Sequence, residues 1–226
     1  MNNQRGLDPS FPYLGENDRF SFPPPQTWKN SIIAIGGNLS PGMLLSAYEQ
    51  GLFPWYNPEE DPLLWQSPDP RMVIFSGNLH ISHSMRKILE KETYTILFDH
   101  DFPAVISGCA GIERPDQWGT WIDADIIAAY TELHHLGWAH SAEAYLGDEL
   151  VGGCYGLLMG RAFFGESMFA TEPNASKAAF LTLAQNLFAN GIAFIDCQVP
   201  SNHLRSLGGE EISRKYFLSL LKKALK

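Results

Sequence analysis

The sequence predicts a mixed α/β protein: a small N-terminal domain over residues 1–70, then a larger domain over residues 71–226 with helices flanking a central mixed, largely antiparallel sheet. Three observations lead there. From Arg71 onward, short runs with a two-residue apolar period alternate with longer runs of helical period. Gly147-Asp148 and Gly160-Arg161 each join two apolar or alternating runs, as hairpin turns do. Before residue 70, proline and aromatic residues recur too closely for long regular elements.

Taken in order, residues 1–30 read as an extended arm whose clearest stretch is Phe22-Pro23-Pro24-Pro25. Ile32, Ile33 and Ile35 predict a short strand closed by Gly36-Gly37. Ser40-Pro41 then supplies an N-cap and a first-turn proline for a helix through Gln50, with Gly51 at its left-handed stop. From Phe53-Pro54-Trp55-Tyr56 to Pro70 the prolines predict a shaped loop or linker, and a domain boundary near its end. Beyond it, helical patterns cover Ser82–Lys91, Asp101–Ala110, Asp123–Leu136, Asn174–Asn190 and Ser213–Leu225. Strand patterns cover Tyr94–Phe98, His140–Leu146, Leu150–Met159, Ala162–Phe169 and Ala193–Val199, the middle three forming a meander with the last strand beside it.

Composition narrows the function. Of 226 residues, 45% are hydrophobic and 18% charged, so much of the surface is neutral, and six Trp, eight Tyr and fourteen Phe leave aromatic area for a ligand. A formal charge of −9 argues against an all-over basic surface that coats nucleic acid. Local basic runs remain: Arg71 with Arg86, Lys87 and Lys91, and Arg214, Lys215, Lys222, Lys223 and Lys226 near the end. Three widely spaced cysteines support neither a disulfide framework nor structural zinc, and reduced cytoplasmic thiols fit them best. Neither an export signal nor a membrane span is expected.

Polar groups inside apolar strands mark candidate chemistry, because a buried carboxylate without a partner is costly. Glu166 in Phe163-Phe164-Gly165-Glu166-Ser167-Met168-Phe169 and Asp196 in Phe194-Ile195-Asp196-Cys197-Gln198 are two such cases, and they converge on one cleft beside Gln198 if their strands are neighbours. Taken alone, either is an ordinary strand-edge acid. Gly152-Gly153 inside a strand signals a bulge or a ligand groove. His134, His135 and His140 lack the spacing that sets two imidazoles on one metal, so no metal site is expected. Cys197 with His203 or His140 is a conceivable nucleophile pair without a local activating feature. Neither a Gly-rich phosphate loop nor a dinucleotide fingerprint occurs, and no cofactor is expected.

The literal strings go further. Phe53-Pro54-Trp55-Tyr56, Trp65-Gln66-Ser67-Pro68-Asp69-Pro70-Arg71, Leu79-His80-Ile81-Ser82, Gly119-Thr120-Trp121-Ile122, Ala139-His140-Ser141-Ala142-Glu143, Phe164-Gly165-Glu166-Ser167-Met168-Phe169, Asn174-Ala175-Ser176-Lys177 and Ile195-Asp196-Cys197-Gln198 occur in order. Together they resemble the leucyl/phenylalanyl-tRNA–protein transferase family, from about Ile33 to Phe217. The resemblance implies a cytoplasmic bacterial enzyme that moves leucine, phenylalanine or methionine from aminoacyl-tRNA to the N-terminal Arg or Lys of acceptor proteins, marking them for degradation. It also implies an acetyltransferase-like C-terminal domain. Unlike true acetyltransferases, the chain has no Gly-rich run at Thr171-Glu172-Pro173 to receive coenzyme A phosphates. A monomer without membrane partners is expected.

Carried over position by position, the resemblance assigns Asp196 as base or electrostatic anchor and Gln198 as the group orienting amine or carbonyl. It assigns Trp55, Trp121 and Glu166 to the 3′-terminal adenosine, and Phe163, Met168, Ile195 and Cys154 to the amino-acid pocket. His83, Arg86, Lys87 and Lys91 fall on a basic segment for acceptor-stem phosphates, diluted here by Glu90 and Glu92. Cys154 and Ser201, the latter expected at the amine contacts, depart from the family pattern of methionine and asparagine. Two other classes stay open beside this one: an acyl-coenzyme A acetyltransferase relative, and a noncatalytic module for tRNA ends or N-terminal degradation signals.

Overall fold

A computed structural model describes residue 8 and residues 10–112 and 121–226. The Gly119-Thr120 half of one motif lies outside the described residues. Ile32–Ile35 (β1) leads through the left-handed Gly36 and Gly37 into Pro41–Glu49 (α1), eight of whose residues are buried. Ser40 precedes the helix, but its hydroxyl accepts from Leu14 N and donates to Asn38 instead of capping the first turn. Gly51, at φ +82, ends α1 as expected.

The proline-rich stretch corrects one expectation: it holds two short strands, Phe53–Pro54 (β2) and Leu64–Gln66 (β3), in a sheet of order β1-β3-β2. Pro54 is tolerated because β2 is an edge strand, where a missing N–H leaves no ladder broken on its outer side. The arm packs Phe20, Phe22 and Trp65 edge to face, with Phe22 and Trp65 buried. Arg214 ties the arm to the chain's end by donating to the carbonyls of Asn30 and Ser67.

The main sheet is built from Arg71–Phe75 (β4), Thr95–Phe98 (β5), Ala139–Leu146 (β6), Glu149–Met159 (β7), Ala162–Ala170 (β8), Phe194–Gln198 (β9) and Glu210–Ile212 (β10). Its order is β10-β4-β9-β8-β7-β6-β5. Only β8 and β9 pair in parallel, and every other pair is antiparallel. This is the mixed sheet, meander and adjacent strand the sequence predicts. The helices are His83–Glu90 (α2), Phe102–Ala110 (α3), Ala124–His135 (α4), Ala175–Ala189 (α5), Asn202–Ser206 (α6) and Arg214–Ala224 (α7). Side chains of Ser82, Asp101, Asp123, Ser201 and Ser213 each accept from a first-turn N–H. The strands β4 and β10 and the helix α6 were not expected; β4 opens with an arginine and the other two are too short for a periodic signal.

Alternate residues of the sheet feed two apolar layers. Tyr155, Phe164 and Phe194 face α1, α3, α4 and α7, whereas Cys154, Phe163 and Ile195 face α2 and α5. The first layer runs without interruption from Phe22 and Trp65 to Phe217, across residue 70. Gly152 and Gly153 prove to be helix-packing positions. A Cβ at Gly152 would lie 2.7 Å from Ala175 Cβ on α5, and one at Gly153 would lie 2.9 Å from Ala142 O and 3.2 Å from Val105 on α3. Replacing Gly152 with valine therefore pushes α5 off the sheet, at about 1–3 kcal/mol. Thermal unfolding of Gly152→Val should fall by about 2–4 °C per kcal/mol lost; an unchanged midpoint would show that α5 does not need this close approach.

Candidate active site

The parallel ladder of β8 and β9 lasts three pairs, Ala162 with Phe194, Phe163 with Ile195 and Phe164 with Asp196, and then the strands separate. Each carries a bulge at that point. Tyr155 faces Ser167 while Gly156 faces Gly165, which leaves Glu166 as the extra residue of β8. Met72 faces Gln198 while Val73 faces Asp196, which leaves Cys197 as the extra residue of β9. A bulge re-aims side chains that regular alternation would send to opposite faces. Gly165, Glu166, Ser167 and Met168 consequently line the same opening as Cys197 and Gln198.

The opening is a cavity of about 380 Å³. Its apolar wall is Cys154, Phe163, Met168 and Phe180, and Ser201, His203 and Leu204 close it from α6. Glu166 and Gln198 form a polar edge, joined by a 2.8 Å hydrogen bond from Gln198 Nε2 to Glu166 Oε1. Glu166 Oε2 accepts from Tyr130 at 3.3 Å, and the Tyr130 hydroxyl is in turn hydrogen-bonded to that of Tyr48. Burial pushes the Glu166 carboxyl from 4.5 up to about 7, the Asp196 charge adds to the rise, and hydrogen bonds from Tyr48, Gln198 and Tyr130 oppose it.

Behind the polar edge, Asp196 and Arg71 are fully buried. Arg71 Nε donates to Asp196 Oδ1 at 2.8 Å and its terminal nitrogen to Oδ2 at 2.6 Å, a bidentate pair. The guanidinium lies between the rings of Phe53 and Phe217, 4.8 and 4.4 Å from their centroids, and also donates to Gly51 O. Asp196 Oδ1 additionally accepts from Gln198 N at 3.0 Å. That contact holds Gln198 at φ +58, a left-handed conformation that costs a residue with a Cβ about 1–3 kcal/mol.

The expected site residues divide as follows. Gln198, Glu166, Cys154, Phe163, Met168 and Ser201 line the cavity. Asp196 and Ile195 stand buried behind it and do not line it. Trp55 and Trp121 are half-buried against the first apolar layer and do not line it either. His83, Arg86 and Lys87 on α2 and Lys91 just after it are all exposed. Arg71, grouped in sequence with these cations, is corrected to an interior residue. Cys154 and Cys197 are held well above the ordinary thiol value by burial, so neither is a ready nucleophile. Sequence reasoning missed Phe180, Leu204 and the Tyr48–Tyr130 pair; an arginine opening the apolar run Met72-Val73-Ile74 was the available sign of a buried acid partner.

Family models match in two segments. Residues 37–69 fit the leucyl/phenylalanyl-tRNA protein transferase N-terminal domain, and residues 73–222 fit leucyl/phenylalanyl-tRNA protein transferase. The chain belongs to this family. It is 50% identical over 216 residues to the leucyl/phenylalanyl-tRNA–protein transferase of Hahella chejuensis, covering 94% of this chain and 91% of that one. To the Myxococcus xanthus protein of the same name it is 48% identical over 206 residues, covering 91% and 88%. A solved GCN5-related N-acetyltransferase from Kribbella flavida aligns with TM-score 0.38 and 10% identity over 77% of this chain and 62% of that one. As a member of this transferase family the protein is an aminoacyltransferase.

Removing one partner of a fully buried ion pair strands the other charge, at about 3–5 kcal/mol. Arg71→Met alone should lower the denaturant midpoint sharply, and Arg71→Met with Asp196→Leu should recover part of the loss. Additive losses in the double variant would mean that the two groups are not coupled.

Proposed function

We propose that the protein transfers leucine, phenylalanine or methionine from aminoacyl-tRNA to the N-terminal Arg or Lys of acceptor proteins, as a mark for regulated degradation. The observation that carries the reading is the cavity at the parting of β8 and β9, apolar along one wall and edged by Glu166 and Gln198. A side chain unbranched at Cβ, such as that of leucine or phenylalanine, fits the wall of Cys154, Phe163, Met168 and Phe180, where selection works by volume. Cysteine in place of a longer side chain at position 154 leaves room for the larger of these donors. Trp55 and Trp121, outside this cavity, are assigned to the terminal adenosine by stacking, and the α2 cations to acceptor-stem phosphates.

The donor is an activated ester, so the reaction needs placement and removal of one proton. The acceptor's α-ammonium, with an ordinary pKa of about 7.7–8.0, gives its proton to the Glu166 carboxylate. The freed amine attacks the ester carbonyl; a C–N bond forms, the bond to the ribose oxygen breaks, and that oxygen leaves as a hydroxyl with the second proton given up by the attacking nitrogen. Gln198, held by Asp196, orients the carbonyl or the amine. Both Asp196 oxygens are engaged by Arg71, which favours the anchor over the base among its two expected roles. A carboxyl titrating near 7 is largely protonated at pH 6 and becomes a base above 7.

Radiolabelled Leu-tRNA and a peptide beginning with Arg test the proposal. Label in the peptide is the expected result; tight binding without transfer would make the protein a binding module, and transfer only from an acyl-coenzyme A would make it an acetyltransferase. In the same assay kcat/KM should climb through pH 7, and Glu166→Gln should lower it about 10²-fold at pH 8 while removing one ionisation from the profile. An unchanged profile in that variant would take Glu166 out of proton transfer.

A further inference from the structure

Glu166 is held from behind by groups that the reaction so far described does not use. Its Oε2 accepts from the Tyr130 hydroxyl at 3.3 Å, and that hydroxyl is hydrogen-bonded to the hydroxyl of Tyr48. A phenol has one O–H, and Tyr130 directs its own at Glu166, so Tyr48 is the donor between the two rings. Donation therefore runs from Tyr48 to Tyr130 to Glu166. Both tyrosines are fully buried, Tyr48 edge to face with Phe164 and Tyr130 edge to face with Tyr155. Neither lines the cavity, so each reaches a substrate only through Glu166. Burial, and after it the Glu166 charge, keep both phenols well above the ordinary tyrosine value, and they stay protonated donors throughout the neutral range. Tyr130 comes from α4, but Tyr48 comes from α1, inside the segment 37–69 that fits the family's N-terminal domain.

We propose that Tyr48 and Tyr130 are positioning residues, a two-phenol donor chain begun in the N-terminal segment that pins Glu166 Oε2 and keeps its carboxylate form available for proton transfer. This rests on the transfer reading above, in which Glu166 takes the acceptor's proton. A donor to the charged form of a carboxyl favours that form, and a phenol that is itself accepting a hydrogen bond donates more strongly. The other titratable groups near Glu166 do not supply this. Asp196 adds to the rise of its carboxyl, and Arg71 gives both prongs to Asp196. Burial holds the Cys154 and Cys197 thiols protonated, and Tyr155 and His203 line the cavity without a printed bond to Glu166. Gln198 serves only the other oxygen, Oε1. Without the phenols, burial would leave the carboxyl protonated at neutral pH, with no place for the acceptor's proton.

Phenylalanine keeps each ring and removes only the hydroxyl. The Glu166 titration can be followed by NMR in protein labelled with carbon-13 at the glutamate carboxyls, the signal being assigned by its loss in Glu166→Gln. Tyr130→Phe should move its midpoint up by about one pH unit, the size expected of one hydrogen bond to a charged group. Tyr48→Phe, which weakens the donor without removing it, should move it less, and the double variant should move it most. In the transfer assay, kcat/KM of Tyr130→Phe should fall about tenfold below the parent at pH 6 and approach it at pH 9. A midpoint unmoved in Tyr130→Phe overturns the proposal, and so does a loss of activity equal at every pH, which is what damaged packing alone gives. A midpoint that moves in a protein unable to transfer leucine from Leu-tRNA leaves the donor chain standing and overturns the transfer reading.

Discussion

The arrangement around the cavity depends on one buried ion pair. Asp196 sits at the last rung of the parallel ladder between β8 and β9, and Arg71 reaches it from β4 with both prongs of its guanidinium. Two charges are taken wholly out of water there, which is tolerable only because nearly every donor and acceptor is used. The Phe53 and Phe217 rings cover the guanidinium faces, and Gly51 O takes a further N–H. The pair thus fastens the end of α1 and the helix α7 to the strand that carries Gln198.

From that fixed point the chemistry follows by geometry. The same carboxylate that binds Arg71 also receives the N–H of Gln198, whose left-handed backbone swings its side chain to Glu166. Glu166 reaches the opening because it is the surplus residue of its own strand. Two bulges at one level therefore turn an ordinary parallel pair into a cleft with a carboxyl, an amide and an oily wall. The division of labour between the two acids is environmental. Asp196 faces a cation with full hydrogen bonding, whereas Glu166 has only neutral partners and is driven upward by burial.

Much of the fold was legible because its signals are local. Alternation in β6, β7 and β8, the Gly147 and Gly160 turns, and caps such as Ser82, Asp123 and Ser213 need no knowledge of distant contacts. The short strands β2, β3 and β10 have no period to read, and their existence rests on partners remote in sequence. The site was legible at Glu166, Asp196 and Gln198, since polar residues in apolar strands stand out. What the pattern hid was direction. A single extra residue in β8 and in β9 decides which side chains meet the cavity, and nothing in the spacing of Phe163 to Phe169 announces it. Arg71 was misread for a related reason: its neighbours in sequence are surface cations, but its partner is 125 residues away.

The most direct measurement is a crystal structure with a stable donor mimic, an adenosine whose 3′ position carries leucine through an amide. The account requires the leucyl side chain against Cys154, Phe163 and Met168, with the amide carbonyl beside Gln198 and Glu166 and the Arg71–Asp196 pair intact. A leucyl group bound elsewhere, with the space between β8 and β9 left to solvent, would contradict it.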